Sequence, residues 1–149
     1  MMGTAAPAEE VLQRLLGAVN AHRLDDLAAC FSPDYFNETP AHPQRGFRGR
    51  DQVRKNRVEI FSQVPDIRAR VRGTALQDDT LWTEWEMAGT RHDGAPFLMR
   101  GVVIFSVTNG LVSSARFYLE PVEDASGDVN AAVSRVLGNT PDSREQAPS

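Results

Sequence analysis

The sequence predicts one α+β domain, an antiparallel sheet packed against three N-terminal helices. Three observations carry this. Apolar side chains recur at helical spacing as far as Phe61, and from Ile67 the period falls to two. The later segments are joined by short turns, which makes successive strands antiparallel neighbours. With 149 residues, of which 41% are hydrophobic, the chain is long enough to bury a real core.

Residues 8–20 carry Val11, Leu12, Leu15, Leu16 and Val19 as one apolar stripe. Glu9 and Glu10 lie in the first turn, where the helix dipole favours negative charge. Asn20 to Arg23 breaks this helix, and a second runs from Leu24 to Phe31. Ser32-Pro33 stops it, because proline has no N–H to continue the ladder. Tyr35 to Thr39 alternates as a short early strand. A loop over residues 40–49 leads to Asp51, placed to cap a third helix that ends near Gln63. Val53, Val58, Ile60 and Phe61 are its apolar members.

Ile67, Ala69 and Val71 then alternate with Arg68, Arg70 and Arg72, the pattern of a strand with one wet face. Asp78-Asp79 turns the chain, Leu81 to Thr90 returns, and His92-Asp93-Gly94 turns it into a strand from Phe97 to Val107. Asn109-Gly110 closes the last hairpin before Leu111 to Glu120; both residues tolerate positive φ. The four strands form a meander. Val102 to Phe105 is apolar at every position and needs cover on both faces. The helices cover one. The other is expected to be covered by a second copy of the chain in a homodimer, or by a helix over Asp128 to Leu137 folding back. The expected division is a flexible start (1–7), the domain (8–122), a short C-terminal helix (within 123–137) and a disordered tail (138–149).

The net charge of −4 argues against a nucleic-acid partner. The basic run Arg45, Arg48, Arg50, Arg54, Lys55 and Arg57 reads as a solvated helix face. No apolar stretch approaches the ~20 residues of a membrane span, and no secretory pattern opens the chain. Cys30 stands alone, which fits a reducing cytoplasm. Three scattered histidines and one cysteine show no metal-ligand spacing. Phosphate-loop and nucleophile-elbow motifs are absent. No cofactor, metal, membrane or nucleic acid is therefore expected.

Four local motifs in order carry a resemblance. Asn20-Ala21-His22-Arg23-Leu24-Asp25-Asp26-Leu27 followed by Phe31-Ser32-Pro33-Asp34-Tyr35 resembles the opening of SnoaL-like proteins, within the nuclear transport factor 2-like (ketosteroid isomerase-like) superfamily. Phe47-Arg48-Gly49-Arg50-Asp51-Gln52-Val53-Arg54 is similar to the entry of their third helix, and Pro65-Asp66 and Arg116-Phe117-Tyr118-Leu119-Glu120 also fit. The resemblance implies a sheet curved into a cone, with an apolar pocket between its concave face and the helices. Members include isomerases, polyketide cyclases, epoxide hydrolases, dehydratases and non-catalytic binding proteins, so pocket residues must choose the function.

By that resemblance the ketosteroid isomerase positions fall on Thr39, Leu15 and Val103, and all three catalytic groups are lost. The epoxide hydrolase set survives by half. Tyr35, Asn37 and Glu120 match the groups that hold and deprotonate a water, whereas Trp85 and Met87 replace the arginine and aspartate that protonate the epoxide. A carboxylate at the Glu120 position also serves the cyclases as base for proton abstraction beside a ketone. The resemblance thus implies a bacterial, cytoplasmic enzyme of secondary metabolism, a cyclase or isomerase acting on a small polyketide- or terpenoid-like molecule. Glu120 is its general base, and Tyr35 and Asn37 orient substrate or water. Trp85, Met87, Val103, Phe105 and Tyr118 form the walls, with Arg116 on the last strand and His42 at the mouth as polar contacts. A binding module without catalysis is the alternative, and an epoxide hydrolase lacking its acid pair a further one. Glu84 and Glu86 are read as outward, and His22 and His92 as solvated.

Overall fold

The computed structural model describes residues 7–123 and 127–138. Helix α1 (Pro7–Ala21) buries Ala8, Val11, Leu12, Leu15, Ala18 and Val19, the stripe that its spacing requires. Pro7 suits the first helical position, where its missing N–H has no partner to lose. Helix α2 (Leu24–Ala28) is one turn long and buries Leu27 and Ala28. Strand β1 (Phe31–Glu38) follows at once. It is longer than the alternation at Tyr35 suggests, because Pro33 does not stop it. The pairing register shifts between Phe31 and Phe36, and this irregularity absorbs a residue that cannot donate to the ladder.

A 3₁₀ turn (Pro43–Arg45) and a two-residue strand β2 (Phe47–Arg48) fill the segment expected to be loop. Helix α3 (Arg50–Gln63) starts from Gly49 at φ 103° with no side-chain cap, so Asp51 lies inside its first turn and does not cap it. Four strands follow: β3 (Arg68–Gln77), β4 (Thr80–Thr90), β5 (Pro96–Thr108) and β6 (Leu111–Pro121). They form the antiparallel meander. The sheet as a whole is mixed, because β1 lies parallel to β6. Its order is β2-β1-β6-β5-β4-β3, six strands in a curved and unclosed layer.

Register decides which side chains face the helices. Trp85 lies opposite Gly101, and Gly101 opposite Leu119; Val103 lies between Thr83 and Phe117. Paired residues share a face, so these form the inner surface. Gly101 has φ 155°, and a Cβ there would overlap the carbonyl oxygen of Tyr118, so β6 crosses closely where only glycine fits. At one end, Leu81, Phe105, Val107 and Val112 meet Ala8, Val11, Leu12 and Leu15 of α1 with no room for a water. At the other end α3 stands off the sheet, with Val53 its one fully buried residue.

The end of α1 is pinned to the sheet edge. Asn20 accepts from the Ala69 amide (2.7 Å) and donates to the Ala69 carbonyl (2.9 Å). His22, at φ 56°, bonds through Nε2 to the Ile67 carbonyl (2.9 Å) and stacks on Phe61 at 4.5 Å. It is a structural clasp and not a solvated turn residue. Helix α4 (Val129–Val136) is capped by Asp128, which accepts from the Ala131 amide at 3.0 Å. Val129, Val133, Val136 and Leu137 are all exposed, so this helix does not cover the outer sheet face. Of the expected loose ends, 1–7 and 138–149, Pro7 instead opens α1 and Gly138 follows α4 in a turn, while residues 1–6 and 139–149 lie outside the described residues. No described helix is long and apolar enough to cross a membrane.

Candidate functional site

The gap between α3 and the sheet holds two adjoining spaces that share Phe31, Arg57, Phe117 and Leu119. The outer space, about 350 Å³, reaches Tyr35, Asn37, Thr39, Arg45, Met99 and Glu120. The inner chamber, about 20 Å³, is walled by Leu15, Trp85, Met87, Val103 and Phe105. That volume admits one water molecule. No carboxylate lines the inner chamber.

The inner walls follow from the period of two along β4 and β5. Trp85, Met87, Val103 and Phe105 take the inward phase and are each less than 5% exposed. A buried indole N–H needs an acceptor. Thr83 supplies it: Trp85 Nε1 donates to Thr83 Oγ1 (2.7 Å), which donates to the Val103 carbonyl (2.6 Å). The ring is thereby fixed, tilted against Phe105 at 6.3 Å.

Strand β1 carries Tyr35 and Asn37 into the outer space, both buried and on one face. The Tyr35 hydroxyl donates to Asn37 Oδ1 at 2.7 Å. Burial pushes the phenol above its ordinary pKa, and the neighbouring Arg57 charge opposes that rise. Glu120 sits at the mouth, where β6 ends. His42 Nε2 lies 3.1 Å from its Oε1, and an Arg45 nitrogen lies 3.9 Å from its Oε2. The loop before β2 thus closes over the last strand and fixes the carboxylate at the rim.

Tyr118 and Arg116 do not join this group. In β6 the inward residues are Phe117 and Leu119, set by their pairing with Val103 and Gly101. Arg116 and Tyr118 take the opposite phase, on the outer face, and Tyr118 is 42% exposed. Glu120 shares their parity and reaches the cavity only because it stands at the strand end. Glu86 also lies outside, against Arg70 (2.8 Å), Arg100 (2.8 Å) and Arg72 (4.0 Å). The hydrogen bond from Arg100 is the main reason its carboxyl is held below the usual range.

One site residue escaped the sequence reading. Arg57, in the basic run assigned to a solvated face, lines both spaces. Helical spacing contains the signal: Arg57 lies one turn beyond Val53, and Ile60 nearly one turn beyond Arg57. Val58, counted with the apolar members, is 42% exposed. Burial lowers the guanidinium's pKa, opposed by the Tyr35 neighbour. Among the described residues, no cluster of His, Cys, Asp and Glu could hold a metal ion.

Residues 12–115 match the family model of the SnoaL-like domain. No curated protein sequence matches the chain. Solved structures share its fold at low identity. An LEH-like epoxide hydrolase of Mycobacterium tuberculosis is 16% identical over 89% of this chain and 96% of its own, with a TM-score of 0.68. A second protein of that organism, solved with estradiol-17β-hemisuccinate, is 20% identical over 76% of this chain and 94% of its own (TM-score 0.66). A protein of ketosteroid isomerase-like fold from Catenulispora acidiphila, solved with trimethylamine, is 14% identical over 78% and 87% (TM-score 0.64).

Proposed function

The chain belongs to the SnoaL-like family, and from that premise we propose a cofactor-independent enzyme of cyclase or isomerase type. Glu120 is its general base, removing a proton from carbon beside a ketone of a small apolar substrate. The observation that carries this is the Glu120 carboxylate, held 3.1 Å from His42 at the rim of an apolar cavity. The C–H electron pair collapses toward the carbonyl to give an enolate, and the proton passes to Glu120. Return of that proton at another carbon gives isomerisation; attack on a second carbonyl gives ring closure, with the proton delivered to the new alkoxide. A ligand seated over the rim excludes water from the reacting carbon. Asn37, oriented by Tyr35, positions the carbonyl end in the outer space, where Phe31, Phe47, Met99, Phe117 and Leu119 meet apolar rings; Trp85, Met87, Val103 and Phe105 close the space behind them.

Proton abstraction is testable without the natural substrate. Deuterium incorporation at the α-carbons of a bicyclic ketone, 2-tetralone, is followed by proton NMR. Wild-type protein is expected to accelerate exchange, and Glu120→Gln to lose about 10²–10⁴-fold. Exchange in the variant at the wild-type rate rejects the base. A second reading is favoured by the hold of His42 and Arg45 on Glu120: a binding module in which that carboxylate only ties the rim. Epoxide hydrolysis is disfavoured, because the apolar Trp85 and Met87 stand where its acid pair would be.

We also propose that two copies pair through the outer sheet face. Trp82 and Tyr118, each 42% exposed, flank Val102 and Ile104 there. Light scattering should find a dimer, and Trp82→Glu with Tyr118→Glu should give monomer. A wild-type monomer at every concentration ends the proposal.

A further inference from the structure

Arg57 and Asn37 bring unspent hydrogen-bond donors to the cavity, as does the Asn56 NH₂, whose Oδ1 alone is taken, by Gln52. Arg57 makes no hydrogen bond or ion pair among the described residues, although it lines both the outer space and the inner chamber. Three of the neighbouring cations are engaged, whereas the Arg50 Nε is buried without a hydrogen-bond partner among the described residues. Arg54 bonds Asp25 at 3.1 and 3.2 Å, Arg45 stands by Glu120, and Arg48 lies 4.4 Å over the Phe36 ring. Asn37 is the second donor: Tyr35 occupies its Oδ1, which leaves its NH₂ group for a cavity ligand. Among the described residues the one carboxylate at this cavity, Glu120, lies by His42 and Arg45 and forms no ion pair with Arg57.

A half-buried cation without a counter-ion is costly, and an anion brought by a ligand relieves that cost. A guanidinium and an amide NH₂ that line one cavity can both donate to the two oxygens of a carboxylate, which accept several hydrogen bonds. The aromatic walls of the outer space, Phe31, Phe47 and Phe117, suit a ring system. We infer that the cavity binds an apolar, ring-bearing molecule that carries a carboxylate, held by Arg57 and Asn37. This rests on the cavity being the ligand site proposed above; it does not require Glu120 to act as a base.

Calorimetric titration of the full chain with 2-naphthoate and with its neutral isostere 2-naphthamide tests it. Wild-type protein is expected to prefer the carboxylate by about tenfold or more. Arg57→Gln should bind the two probes about equally, and Arg57→Lys should keep part of the preference. In the wild type, the Arg57 Nε–Hε resonance should move with naphthoate and stay still with naphthamide. Equal wild-type affinities, binding of neither probe, a preference that survives Arg57→Gln, or a stationary resonance under naphthoate would each overturn the inference. Glu120→Gln separates the two proposals. If it keeps the carboxylate preference but exchanges 2-tetralone at the wild-type rate, the base falls and the anion site stands. If the preference is absent and exchange still depends on Glu120, the anion site falls alone.

Discussion

Tyr35 donates its hydroxyl proton to Asn37 Oδ1 at 2.7 Å, two positions along the same strand, and both side chains are buried. Period-two geometry sets these residues side by side on one face, and burial makes the bond costly to break. Tyr35→Phe leaves the Asn37 acceptor without its partner and should lower stability by about 1–3 kcal/mol in urea denaturation. A pH dependence follows from the raised phenol pKa. Above the ordinary tyrosine value of about 10 the unfolded chain releases this proton while the folded chain retains it. The stabilisation is therefore complete below that pH and lost as pH rises toward the folded value. Tyr35→Phe should flatten this alkaline limb; an unchanged slope would remove Tyr35 as its origin.

Asn20 and the Ala69 backbone form a two-point contact, 2.7 and 2.9 Å, between the end of α1 and the outermost strand. It satisfies edge groups that would otherwise invite pairing with another strand. Asn20→Ala should cost about 1–3 kcal/mol, and the Ala69 amide should lose protection first in hydrogen exchange. Global exchange with no local change at Ala69 would contradict the assignment.

Glu86 faces Arg70, Arg72 and Arg100 across three strands. Its carboxyl is held below the usual range, chiefly by the hydrogen bond from Arg100. The contribution to stability is thus present above the ordinary glutamate pKa of about 4.3 and lost as pH falls through the lower folded value. Glu86→Gln should make the acid limb of the stability profile shallower and leave its neutral-pH dependence unchanged. An identical acid limb would show that the cluster contributes nothing there.

Much of the architecture was legible because periodicity is a local property. The α1 stripe, the meander and the Asn109-Gly110 turn, at φ 54° and 76°, follow from spacing and turn chemistry within a few residues. The same rule groups Trp85 with Met87, and Val103 with Phe105, on one face of each strand. By itself, then, the sequence determined the helices and the strands of the meander.

Three things waited for the tertiary structure, each set by a partner distant along the chain. Pairing of Val103 with Phe117 turned Phe117 and Leu119 inward and Arg116 and Tyr118 outward, because a period of two allows either phase until the partner strand fixes one. Parallel pairing of β1 with β6 carried the strand through Pro33. And the distance of α3 from the sheet turned Arg57 from one more surface cation into a cavity charge without a partner among the described residues. Spacing can place a side chain on a helix face. Only the packing of that face against the sheet decides whether water or a closed cavity meets it.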